Sequence, residues 1–241
     1  MRAMHRPLRW IAAAVVALAC GLPHTAAAEM IEKSGRFGGL QVTYKVVHPP
    51  GYVAGRSYPV VLVFTGGGQT LRMAEGTLTT DWREQAEKRG YVVISPGTPD
   101  GRLFFEGADR VFPEFLDMIV RDYKPAGGKF HIAGHSNGGL SAFHVAAKHP
   151  SYFSTVTGYP GLLNGPEMSQ AAALKPLCLY MHVGDQDSGW MSEMQRQSAS
   201  LKQQGYRIAF SVEKNQIHRL KAQEINLSPR LFDEIESCGK R

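Results

Sequence analysis

Residues Pro59 to Phe64 are apolar at every position. A strand with one wet face would alternate, so an unbroken run of strand length must be buried on both sides. That requires a sheet with a layer packed on each face. The rest of the chain supplies such layers by alternation. Leu40 to Val47 alternates like an antiparallel strand and stops at Pro49-Pro50-Gly51. Thr80 to Lys88 has a helical pattern closed by Gly90, and Tyr91 to Ile94 is a strand stopped by Pro96. Val111 to Tyr123 places apolar residues at helical spacing, and Lys129 to Ala133 followed by Leu140 to Ala147 reads as strand then helix. Strands follow at Phe153 to Thr157, Leu177 to Val183 and Tyr206 to Val212, with helices at Met191 to Gln204 and Pro229 to Glu236. This order predicts an α/β fold, a mostly parallel central sheet with helices on both faces. Functional residues of such sheets lie beyond the carboxyl ends of the strands.

Residues 29–241 show no repeat, low-complexity stretch or linker and are expected to form a single domain. The first 28 residues have the pattern of a signal peptide. Arg2, Arg6 and Arg9 form a basic flank, Trp10 to Ala19 is apolar but too short to span a bilayer, and Ala26-Ala27-Ala28 offers a cleavage site. This predicts a secreted or periplasmic protein without stable membrane insertion after cleavage. Lipidation at Cys20 is the rival, although Ala17-Leu18-Ala19 is a poor lipobox. The net charge of +6 includes the three arginines of this segment. The remainder has no basic cluster with interleaved aromatics, which argues against a nucleic-acid partner. Cys178 and Cys238 either pair in an oxidising compartment or remain separate thiols. Neither has a neighbour at zinc spacing, so no metal site is expected.

Gly134-His135-Ser136-Asn137-Gly138 sits between the strand at 129–133 and the helix at 140–147. A strand-to-helix turn with glycines on both sides can lift a serine hydroxyl out of the sheet as a nucleophile. A serine needs a base, and the base needs an orienting acid. His218, in the loop after the last strand, is the only histidine beyond residue 182, and it is the candidate base. His182 is a rival, but it lies inside a strand and precedes any suitable acid. The acid comes from Gly184-Asp185-Gln186-Asp187. Asp187, farther into the loop, is favoured, with Asp185 as a turn residue accepting backbone N–H groups.

An acyl intermediate also needs two oxyanion donors. The Asn137 N–H is one. The second is expected from Thr65-Gly66-Gly67-Gly68-Gln69, with Gly67 ahead of Gly66. No Lys-Ser/Thr follows these glycines, so a phosphate loop is disfavoured. Gln69, Tyr159 and Trp190 are candidates for the substrate pocket, and Gln69 alternatively braces the glycine loop.

Three segments carry a family resemblance: Val60 to Gln69, Gly134 to Gly139, and His182 to Asp187. Over nearly the whole chain beyond residue 28, the sequence resembles the α/β-hydrolase superfamily, nearest to secreted polyhydroxybutyrate depolymerase-like and feruloyl esterase-like proteins. It departs from that family at Thr65, where a histidine is usual, and around His218, which lacks the neighbouring glycine. The resemblance implies hydrolysis of small-molecule or polymer esters through an acyl-serine, without metal or organic cofactor. A serine peptidase using the same residues, and a non-catalytic binding domain on this scaffold, are the alternatives. Oligomeric state and the acyl group are not legible.

Overall fold

The computed structural model describes residues 28–238. The expected signal segment, Cys20 included, lies outside them apart from Ala28. One eight-stranded sheet organises the chain. Its strands are β1 (Glu29–Phe37), β2 (Leu40–His48), β3 (Val60–Phe64), β4 (Val92–Pro96), β5 (Phe130–Gly134), β6 (Phe153–Gly158), β7 (Cys178–Gly184) and β8 (Arg207–Glu213). Their spatial order is β1-β2-β4-β3-β5-β6-β7-β8. β1 and β2 form a hairpin, and β2 meets β4 antiparallel. All pairings from β4 across to β8 are parallel. This is the α/β-hydrolase fold.

Period-two alternation of β3 divides the core as its composition requires. Val60, Leu62 and Phe64 pack into the larger apolar cluster, with α3 (Phe112–Tyr123), α4 (Asn137–Lys148) and α5 (Ser188–Gln203). Val61 and Val63 face the other cluster, with α2 (Arg83–Arg89) and α6 (Leu227–Ser237). All five β3 side chains are fully buried. Each contributes on the order of 1.5–3 kcal/mol of transfer free energy.

The helix expected at Thr80 to Lys88 is longer than its sequence pattern. It begins as α1 (Leu71–Thr77), capped by the Thr70 hydroxyl, which accepts from Met73 N–H at 3.3 Å. It then passes through a π-helical turn at Leu78–Trp82 and continues as α2. Gly90, at φ 76°, closes it. Cys178 and Cys238 form a disulfide that joins the start of β7 to the end of α6.

Candidate active site

The turn between β5 and α4 is dictated by backbone crowding. A Cβ on Gly134 would lie 2.2 Å from the Gly138 carbonyl oxygen, and one on Gly138 would lie 2.2 Å from the Phe64 oxygen. Only glycine at both positions lets the three segments close to this distance. Between them Ser136 takes φ 56°, ψ −127°, a conformation that a residue with a Cβ rarely adopts. The strain is held by backbone bonds on either side. His135 N–H donates to the Phe64 carbonyl at 3.3 Å, and Ser136 N–H donates to the Pro160 carbonyl at 2.8 Å. The hydroxyl stands at the N-terminus of α4, the positive end of the helix dipole.

The three side chains singled out as nucleophile, acid and base lie in one hydrogen-bonded line. His218 Nε2 is 2.8 Å from Ser136 Oγ, and His218 Nδ1 is 2.6 Å from Asp187 Oδ2. An ionised carboxylate can only accept, so Nδ1 carries the proton and Nε2 accepts from the serine hydroxyl. Asp187 is mostly buried, its side chain 13 % exposed, at the start of α5. Asp185 is not in this line. Its Oδ1 accepts the Gln216 N–H at 3.2 Å, the turn role expected for it. His182 lies buried within β7, between Ser211 Oγ at 2.7 Å and Glu234 Oε2 at 2.9 Å.

The glycine loop after β3 stands beside the serine. Asn137 Nδ2 donates to the Gly67 carbonyl at 2.9 Å, so the residue after the serine clasps the loop with its side chain. As the first residue of α4, Asn137 has no intrahelical acceptor for its own N–H. Gly67 is exposed, while Gly66 is buried against the His135 ring. Thr65, standing where histidine was the expectation, is used for bracing. Its hydroxyl donates to the Met73 carbonyl at 3.2 Å and accepts from Thr77 Oγ1 at 2.8 Å. His135 is pushed down to a pKa of about 3, chiefly by burial, with Arg219 and His218 adding to the effect. An uncharged ring therefore lies under the loop.

The three pocket candidates part company. Trp190 is half-buried, its ring centroid 5.1 Å from that of His218, so it stands at the site. Gln69 does not line a pocket. It is completely buried, donates to Ser141 Oγ at 2.9 Å and accepts the Phe104 N–H at 3.0 Å. A side chain with two internal partners braces the glycine loop instead. Tyr159 is likewise not a pocket residue. It is fully buried and accepts from Trp82 Nε1 at 2.8 Å. It follows a strand end, as a pocket residue would, but the tight close of β6 turns its ring inward beneath His135.

The surface around Ser136 is open and partly apolar. Met73 lies over Gly67 and is 41 % exposed, and Ile217, next to the base, is 55 % exposed. Among the described residues, no group of three or more His, Cys, Asp or Glu side chains could hold a metal ion. Among the same residues, no helix is long and apolar enough to cross a membrane. Sequence reasoning missed Asp81 and Arg219, which pair directly behind the base. They are 138 residues apart, and no local pattern joins them.

No family model matches the chain. A curated relative, dipeptidyl-peptidase 5 of Porphyromonas gingivalis, is 28% identical over 142 residues. The match covers 53% of this chain and 20% of that protein, so the chain spans only about a fifth of that relative's length. Among solved structures, a thermostable esterase superposes with a TM-score of 0.67 at 13% identity, covering 88% of this chain and 62% of that one. A ferulic acid esterase gives 0.67 at 14% identity, covering 89% of this chain and 99% of the other. A dienelactone hydrolase from Anabaena variabilis gives 0.66 at 16% identity, over 88% and 97%. These likenesses establish the α/β-hydrolase fold and leave the chemistry to the site.

Proposed function

We propose that this protein is a secreted or periplasmic serine hydrolase that cleaves carboxylic esters through an acyl-serine intermediate, with residues 29–241 as its single catalytic domain. The observation that carries this reading is the line Ser136–His218–Asp187, held on a strained turn at the N-terminus of α4. His218 Nε2 takes the hydroxyl proton as Ser136 Oγ attacks the ester carbonyl carbon. Asp187 fixes the tautomer and stabilises the imidazolium that forms. The oxyanion meets the Asn137 and Gly67 N–H groups, with Gly66 the second choice for the loop donor. Loss of one such donor costs about 3–4 kcal/mol of transition-state stabilisation. The imidazolium then protonates the leaving alkoxide, and water, deprotonated by the same ring, releases the acid.

Met73, over Gly67, and Trp190, beside His218, give the open site an apolar edge, which suits a short acyl or aryl group, or the end of a polyester chain. The test is turnover of p-nitrophenyl acetate by Ser136→Ala. The variant should be inactive while its circular dichroism is unchanged, and undiminished turnover would refute the assignment.

The match to a dipeptidyl peptidase supports a second reading, in which the same residues act on an amide. A fluorogenic dipeptide panel separates the two. Amide turnover exceeding ester turnover would reverse the order.

A further inference from the structure

We infer that Asp81 and Arg219 act as a positioning pair for His218, clamping the loop that carries the base to the π-helical turn at Leu78–Trp82. The inference rests on the serine-hydrolase reading above.

His218 is borne by a loop between β8 and α6, and its side chain is 41 % exposed. Neither sheet nor helix geometry fixes such a side chain to within hydrogen-bond reach of the serine. On the near side the loop is held through Gln216. Its N–H donates to Asp185 Oδ1 at 3.2 Å, its carbonyl accepts from Gln186 N–H at 3.0 Å, and its Oε1 accepts from Lys221 N–H at 3.0 Å. On the far side the hold is Arg219, the residue directly after the base. Its guanidinium donates through Nη1 to Asp81 Oδ2 at 2.9 Å and through Nη2 to Asp81 Oδ1 at 3.0 Å. This fork-to-fork geometry fixes orientation as well as distance.

Asp81 is an unexpected residue at its position. The inward stripe of the helix runs Ala74, Leu78, Trp82, Ala86, and Asp81 lies on it with only 3 % of its side chain exposed. A carboxylate buried there needs partners, and it has them on several sides. Besides Arg219, it accepts from Thr80 Oγ1 at 2.8 Å and from Tyr159 OH at 3.4 Å, and Trp82 Nε1 donates to that same phenol at 2.8 Å. Tyr159 precedes Pro160, whose carbonyl accepts the Ser136 N–H. The network therefore begins beside the base, passes through Asp81 and Tyr159, and ends at the backbone of the nucleophile. Both reacting groups are referenced to one buried carboxylate.

The experiment compares wild type with Asp81→Asn, Arg219→Gln, Arg219→Lys and the double variant Asp81→Asn/Arg219→Gln. Three quantities are measured: kcat and KM for p-nitrophenyl acetate, and the rate of Ser136 labelling by a small fluorophosphonate. All rates are normalised to titrated active sites, so that a merely unfolded fraction lowers the site count and leaves the rate per site unchanged. Each single neutral variant should lose about 10–100-fold in kcat and in labelling rate, as expected for a base displaced by up to ~1 Å, with KM within about twofold. The double variant should be no slower than the slower single, because the two residues act as one unit. Arg219→Lys, which keeps the charge but not the fork, should lose activity while folding normally, and it decides the matter where the neutral variants do not fold. Wild-type rates per site in these variants, losses confined to KM, or losses that multiply in the double would each overturn the positioning role. An unlabelled Ser136 in the wild type would instead overturn the hydrolase reading itself.

Discussion

Gly184 ends β7, and its replacement by alanine tests how the base is seated. A Cβ there would lie 2.2 Å from the Gln216 carbonyl oxygen and 2.6 Å from the Ile217 oxygen, where ordinary contact begins at 3.4 Å. The first contact falls short by about 1.2 Å, the difference of those two distances. Both obstacles are backbone atoms of the residues immediately before His218, so the clash cannot be relieved by a side-chain rotation. The strand is locked to β8 along its length, and the loop must move. A displacement of about 1 Å at the base lowers the rate on the order of 100-fold. The same overpacking costs about 1–3 kcal/mol, which a domain stable by roughly 5–15 kcal/mol survives. The assay is kcat/KM for p-nitrophenyl acetate per titrated site, with urea denaturation alongside. Gly189→Ala is the control, since a Cβ there meets nothing within 4 Å, and it should leave both quantities near wild type. A Gly184→Ala enzyme that folds and turns over at the wild-type rate would refute the claim that this close approach seats the base.

Asp187→Asn should lose about four orders of magnitude in kcat, as removal of the orienting carboxylate does elsewhere, while Asp185→Asn keeps most activity; the reverse ranking would exchange their roles. Cys178→Ser opens a disulfide spanning 60 residues, and equilibrium denaturation should show a loss of about 2–4 kcal/mol, with an unchanged midpoint counting against a stabilising bridge. Glu213 is held down to a pKa of about 2 by its neighbours, first the His182 ring 3.8 Å away, then the hydrogen bonds it accepts from Ser211 Oγ and Arg230. Its contribution is therefore present above the ordinary value of 4.5 and lost as the pH falls towards 2. Stability of Glu213→Gln measured across that window should fall less steeply than wild type, and parallel curves would contradict the assignment.

What the sequence revealed followed from strong periodicity or from local chemistry. The buried run at 60–64 announced a two-sided sheet, and each of the strands after it lies within a residue or two of its expected place. β1 escaped notice because Glu29, Glu32, Lys33, Ser34 and Arg36 mix polar residues onto both faces of an edge strand. The extension of the helix back to Leu71 was hidden by Gly76 and by the polar Thr77 on its inward face. At the site, Ser136, Asp187 and His218 were legible because each follows a strand end in a fixed order. Gln69, for which bracing was the alternative, and Tyr159 also follow strand ends but do not line a pocket. Proximity to a strand end says nothing about which way a side chain turns, and both are claimed by partners far away in sequence. The Asp81–Arg219 pair left no sequence signal, since its meaning exists only once α1, the π turn and the histidine loop have been brought together.

If Ser136 is a nucleophile activated by His218, a fluorophosphonate will modify it, and peptide mass spectrometry identifies the residue that carries the label. The expected result is one label per chain, on Ser136, absent from Ser136→Ala and greatly slowed in His218→Ala. A chain left unmodified, or modified at another serine with Ser136 free, would contradict it.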